Sequence, residues 1–354
     1  MSQRSRRSSS AVTISDVAAR AGVSAMTVSN VLGGRKKVLE ATRDAVHKAI
    51  EELGYTPNAA ARALASASQL RVGLIYRNPQ SAFLSAVLVG ALNASTRLGA
   101  QLLIRSCEAE TAESTATTLQ GLIRSGANAL LLPPPFCEII DRSPELQATG
   151  IPMMALSSGR ELTNMPGVRV DDFEAAQAMT LRLIELGHRR IALIEGPIQH
   201  YASATRLAGY RSALQLAGIG EDAALIAKGD FTYDSGLVAA QRLLDLPQRP
   251  TAIFAFNDDI AAAVVSEAHR RGIVIPDQLS IAGFDDTPIA VKIWPPLTTV
   301  RQPIVEISEL ATQRLVAALR QPPEDGGTVA TVHIPFAIVE RESTSPPSPA
   351  AAME

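Results

Sequence analysis

Residues 21–32, AGVSAMTVSNVL, carry no formal charge and set Met26 and Asn30 among small and β-branched residues. Those residue types suit the reading of base-pair edges. An asparagine bonds adenine bidentately, a methionine packs on a thymine methyl or a sugar, and small residues at a helix N-terminus let the backbone approach the groove. Ala25, Met26, Thr27, Ser29 and Asn30 offer such groups, while Val28, Val31 and Leu32 are expected to face inward. The alternative is a solvated helix of a small bundle.

No comparable set of catalytic groups exists. The five histidines (47, 188, 200, 269, 333) are scattered, and there is no GxGxxG after a strand, no P-loop, no GxSxG elbow and no metal-spaced cluster. The pairs Asp171-Asp172, Asp258-Asp259 and Asp285-Asp286 read as ligand-binding or helix-capping groups. The expectation is a protein that is not an enzyme, with no catalytic residues, no metal and no cofactor.

Charge is divided unevenly. Net charge is −2, yet residues 1–65 hold ten Lys or Arg against five Asp or Glu, and the rest holds 23 against 30. A basic head on an acidic body points to a polyanionic partner for the head alone. Cys107 and Cys137 are too few for a disulfide framework. MSQRSRRSSS lacks the apolar core of a signal peptide, and no apolar run is long enough to span a bilayer. A cytoplasmic protein with no membrane partner is expected.

These features must be positioned by elements readable from the chain. Thr13 with Asp16 marks an N-terminal cap for a helix ending near Ala21 at Gly22. Ser24 caps a second helix, to about Leu32, and a third starts near Glu40 with a buried stripe of Val46, Ala49, Ile50 and Leu53. From Leu70 apolar strands (RVGLIY, AQLLIRS, NALLLP, IPMMALS, RIALIEG, TAIFAF, LSIAGF) alternate with helix-like segments. That alternation predicts parallel sheets covered by helices on both faces, and about 230 residues of it fit two sheets better than one. The expected division is a disordered basic tail (1–11), a small all-α helix-turn-helix domain (12–56), a linker with a possible short helix (57–69), an α/β body (70–343) and a disordered tail (344–354).

TISDVAARAGVSAMTVSNVLGG, followed by ATRDAVHKAIEELGYTPNAAARALAS, resembles the DNA-binding head of the LacI/GalR family of bacterial repressors. GHRRIALIEGP, RLAGYRSAL, KGDFTYDSG, PTAIFAFND, GIVIPDQLSIAGFDD and PPLTTVRQP resemble successive landmarks of that family's regulatory domain, so the resemblance runs from about Thr13 to Ser343. It implies a transcriptional repressor, with a DNA-binding domain over residues 12–56, a hinge helix within the 57–69 linker, and an effector-binding and dimerisation domain over 70–343. Its expected partners are a near-palindromic double-stranded operator, a second copy of itself as homodimer or tetramer, and a small-molecule effector that tunes operator affinity. The effector is expected to be a carbohydrate. A purine or nucleoside is the alternative, and a cytoplasmic sugar-binding protein without a DNA role is a third reading.

The resemblance also assigns residues. Thr13, Ser24, Ala25, Met26, Thr27, Ser29, Asn30, Tyr55, Asn58, Arg62 and Leu64 form the DNA-binding set. Residues 58–65 match a hinge helix that folds on DNA, with Leu64 as a minor-groove wedge. Tyr55 is also open to a packing role. The body implied is periplasmic-binding-protein-like, with two Rossmann-like subdomains and parallel sheets. Its effector would meet Phe83, Ser157, His200, Arg206, Phe231, Asn257, Asp258 and Asp285. Other readings stay open: an Arg206–Asp285 staple, Phe231 as core and His200 as structural. Trp294 is expected to pack near the subdomain crossover and not to serve as a ligand platform. The chain departs from the pattern at Leu39, where a hydroxyl cap is usual, at Asn30, commonly Arg or His, and at Ser157, often Asp in sugar-responsive members.

Overall fold

The computed structural model describes residues 12–33, 39–55, 70–78, 81–321 and 330–348. The expected basic tail and hinge, with Asn58, Arg62 and Leu64, lie outside the described residues. The chain divides into two units, a head through Gln69 and a body from Leu70.

In the head, α1 spans Ile14–Ala21, α2 Ala25–Gly33 and α3 Glu40–Leu53. Thr13 and Asp16 satisfy each other's backbone N–H groups in a capping box, a device worth about 1 kcal/mol. Gly22 stops α1 at φ 66°, a conformation that glycine adopts without the steric cost of a side chain. Ser24 Oγ accepts from the Thr27 N–H at 3.1 Å to start α2. Leu39 precedes α3 with no side-chain cap, as its apolar side chain requires. Val17, Ala18, Val28, Val46, Ala49 and Tyr55 form the core, and Arg20 pairs with Glu52 across α1 and α3.

The body opens with β1 (Arg71–Tyr76), α4 (Ala82–Leu98), β2 (Gln101–Ser106), α5 (Ala112–Arg124), β3 (Ala129–Leu132), α6 (Phe136–Asp141), α7 (Pro144–Gln147), β4 (Met153–Leu156) and β5 (Gly167–Arg169). It continues through α8 (Asp172–Glu185), β6 (Ile191–Glu195), α9 (Tyr201–Leu216), β7 (Ile226–Lys228), α10 (Tyr233–Leu244), β8 (Ala252–Ala255), α11 (Asp258–Arg270), β9 (Ser280–Asp285) and β10 (Thr298–Arg301). Helix α12 (Ile304–Arg320), β11 (Val332–His333) and β12 (Ala337–Val339) complete it.

Among the described residues two six-stranded sheets form, ordered β11-β5-β4-β3-β1-β2 and β12-β10-β9-β8-β6-β7. All pairs are parallel except β10 with β12. Each sheet carries an apolar cluster on both faces, which explains why its strands read as continuous apolar runs. The chain crosses between lobes after β5, after β10 and between β11 and β12. No helix among the described residues is long and apolar enough to cross a membrane.

Two expectations need correction. Residues 344–348 do not form a loose tail: His188 Nε2 lies 2.9 Å from the Ser345 carbonyl, and the Ser345 N–H donates to Ser280 Oγ at 3.0 Å. Just before them, Ser343 Oγ accepts from the Thr298 N–H and donates to the Ile281 carbonyl. Small polar side chains, which lower hydropathy, are what let this segment bond so closely to the second lobe. Trp294, expected to pack, is instead 70% exposed.

Candidate functional site

The α2 surface is divided by burial. Val28 is fully buried in the head core and Val31 packs against it, which turns the opposite face outward. Met26 stands 70% exposed, a position a core residue would not take. Ala25 is exposed beside it, and Asn30 is half-buried on the following turn. Ser24 and Thr27 hydroxyls lie 2.9 Å apart and serve the cap. Thr13 caps α1. The Tyr55 ring is 9% exposed within the core, which is a packing position.

In the body, a cavity of about 490 Å³ opens between the lobes. The first lobe contributes Tyr76, Arg77, Phe83, Glu110 and Ser157, and the second His200, Arg206, Phe231, Asn257, Asp285 and Gln302. This is the crevice beyond the C-terminal strand ends where open α/β sheets place ligands. Seven of the eight expected effector residues meet there. Among the described residues, four without glycine's freedom have positive φ: Ser157, Phe231, Asp285 and Asp286. Three of these line the cavity, and strain of this kind, about 1–3 kcal/mol each, concentrates at ligand clamps.

Each clamp is held from behind. Asn257 Oδ1 caps α11 through the Ile260 N–H, while its Nδ2 donates to the Phe231 carbonyl at 2.9 Å. That bond fixes the Phe231 backbone at φ 67° and presents the ring edge-on to His200, centroids 5.6 Å apart. Arg206 is almost wholly buried. Its Nε donates to Asp172 Oδ1 at 2.7 Å, its Nη1 donates to the Phe256 carbonyl, and the guanidinium stacks 3.5 Å over the Phe284 ring. Its ion-pair partner is therefore Asp172, and the Arg206–Asp285 staple does not form.

Asp285 accepts from Gln302 Nε2, and burial raises its carboxyl to about 6, tempered by the Arg206 charge. The acceptor-only carboxylate thus prevails above that pH. Effector affinity is expected to fall as pH drops below about 6, by up to roughly tenfold per unit. Calorimetric titration from pH 5 to 8 checks this, and a flat profile would exclude Asp285 as an acceptor.

Asp258 is the exception among the expected residues. It is fully buried, with Oδ2 accepting from the Thr287 N–H and Oγ1 and Oδ1 accepting from Thr299 Oγ1. Burial, with the neighbouring Asp285 charge, lifts its pKa to about 8. At the first position of α11 its side chain turns back onto the strand ends, so it holds the 285–287 turn instead of facing the cavity. Sequence reasoning missed Glu110, which belongs to none of the motifs; its Oε1 lies 3.4 Å from Arg77, just after β1, and its Oε2 lies 3.5 Å from His200 Nε2. It also missed Gln302, although PPLTTVRQP contains it, and it read Asp172 as a ligand-binding or capping group where the structure pairs it with Arg206, 34 residues on.

Residues 13–58 match the family model described as bacterial regulatory proteins, lacI family, and residues 180–344 match a periplasmic binding protein-like domain. Catabolite control protein A of Priestia megaterium is 32% identical over 337 residues, 94% of this chain and 99% of that protein. The chain belongs to the lacI family of bacterial regulatory proteins. Among solved structures, a complex of the transcriptional regulator CelR with cellobiose matches with TM-score 0.68 and 30% identity, covering 94% of this chain and 99% of CelR. The lac repressor dimer bound to operator and the anti-inducer ONPF matches with TM-score 0.78 and 26% identity, covering 95% and 100%. The lacI-family head is thus a DNA-binding module, the body has the periplasmic-binding form, and the protein is a transcriptional regulator.

Proposed function

We propose that this regulator is a homodimeric, cytoplasmic repressor without enzymatic activity, whose operator affinity is set by a sugar held between the lobes. The observation that carries the effector half is the gathering of seven expected residues from both lobes around one cavity. Phe83 and Phe231 offer apolar faces for a pyranose, while Asn257, Asp285, Gln302 and Arg206 offer hydrogen bonds for hydroxyls. With Nε and Nη1 of Arg206 engaged inside the protein, Nη2 is the nitrogen left for the ligand. The cellobiose held by CelR supports a carbohydrate.

The DNA half rests on α2, with Met26 and Asn30 reading bases and Ala25 giving clearance. Residues 58–65 would form the hinge, Asn58 capping it, Arg62 meeting phosphate and Leu64 wedging the minor groove, with Ser29 on the reading helix. Exposed Trp294 and Val291 on the second lobe suit contact with a second copy. A purine or nucleoside remains the second reading, because Phe83 and Phe231 could equally flank a flat base. A thermal-shift panel of sugars, nucleobases and nucleosides against the full chain decides. A sugar-specific rise in Tm is expected, and a response to nucleosides alone would replace the sugar reading with the second.

A further inference from the structure

The first turn of α9 lacks a cap of its own. His200 occupies the N-cap position and makes no side-chain capping bond. The bond comes instead from the other lobe: Glu138 Oε2, on α6, accepts from the Tyr201 N–H at 2.9 Å. Glu138 is fully buried, and its second oxygen has no hydrogen-bond partner among the described residues.

Three further contacts from the first lobe converge on that turn. Gly159 lies so close that a Cβ there would fall 2.0 Å from the Ala202 nitrogen, which leaves room for glycine alone. The guanidinium of Arg160 covers the Tyr201 ring at 3.7 Å, and that of Arg142 lies 5.1 Å from its centroid. Arg169, nearly buried, pins the 158–159 loop through the carbonyls of Ser158 and Gly159. The effector cavity borders this clasp on both sides, through Phe136 at the start of α6 and His200 one residue before Tyr201.

We infer that Glu138 is a positioning residue for regulation: by capping α9 across the cleft it clasps the two lobes, so that the arrangement imposed by the effector, and with it operator affinity, depends on this carboxylate. The inference rests on the reading that a small molecule held between the lobes sets operator affinity. A carboxylate suits a helix N-terminus, where the unpaired N–H groups and the macrodipole favour negative charge. Charge there is balanced against burial, which raises Glu138 to about 7, opposed by the Tyr201 N–H and by the His200 and Arg142 charges and reinforced by Asp172 at the start of α8. The clasp is therefore weakest in acid and strongest above neutrality, since the charged form is the better acceptor.

The test compares full-length wild type, Glu138→Gln and Glu138→Ala. Amide exchange is followed in a peptide spanning residues 198–206. Affinity is measured by fluorescence anisotropy between pH 6 and 8 for the tightest duplex selected from a randomised pool. Glu138→Ala should lose protection at the α9 first turn and shift operator affinity at least fivefold at pH 8. Glu138→Gln, which still offers an oxygen to the Tyr201 N–H, should keep that protection while losing the part of the pH dependence centred near 7. If Glu138→Ala deprotects the turn but binds operator within twofold of wild type, the contact is structural only and the inference falls. Unchanged exchange overturns it as well. Failure of the effector reading would show separately, as an absence of any thermal shift with the sugar and nucleoside panel.

Discussion

Arg206→Ala is expected to cost the body about 3–5 kcal/mol and to erase effector titration together. The guanidinium and its partner Asp172 are both buried, their side chains 6% and 2% exposed. Burial already raises the Asp172 pKa, with Arg206 as the main opposing charge. Removing the cation leaves a carboxylate in apolar surroundings, frees the Phe256 carbonyl and uncovers the Phe284 ring. Pairing the change with Asp172→Asn removes the orphaned charge, so the double variant should regain much of the stability but not the titration. Urea unfolding of the four corners of this cycle separates folding from binding. An unchanged unfolding midpoint for Arg206→Ala would contradict the buried pair, and retained calorimetric binding in a folded variant would remove Arg206 from the effector site.

The second large effect is expected at Asn30. It follows Met26 by one helical turn on α2, with Val28 and Val31 turned into the head core. Asparagine suits adenine, and arginine suits the O6 and N7 of guanine. Asn30→Arg should therefore move preference at one base pair of each half-site from A·T toward G·C, by about 1–3 kcal/mol per position. Selection of duplexes from a randomised pool by wild type and variant reads this directly. Identical selected sequences would show that Asn30 faces away from the bases.

Much of this was legible because the physics is local. Caps at Thr13 and Ser24, the stop at Gly22 and the 3.6-residue stripe of α3 are decided within a few residues, and the structure has them. All seven expected strands form, since a strand buried on both faces must be apolar throughout. The strands left unread, β5, β7, β10, β11 and β12, have two to four residues, too few for a pattern. Three of them, β7, β11 and β12, are edge strands and the other two lie next to an edge, where partners from distant sequence decide pairing. The cleft was legible where motifs end strands, as at Asp285 and Asn257. It was misread at Asp258, because adjacent positions at a helix start point to opposite sides and composition does not say which faces the cavity. The 344–348 segment was misread for a related reason: His188 and Ser280, which hold it, are more than 60 residues away.

Whether a metabolite in the body cleft sets the DNA affinity of the head is decided by one titration. Operator affinity of the full-length protein is measured by anisotropy at fixed salt, with and without the compound that gives the largest thermal shift, for wild type and Asp285→Asn. Fixed salt is essential because phosphate contacts make any DNA affinity depend on it. A change of about 5–150-fold, a coupling of about 1–3 kcal/mol, is expected for wild type, and little or none for Asp285→Asn with its basal operator affinity preserved. A compound that binds the wild-type cleft and leaves operator affinity unchanged would contradict that coupling.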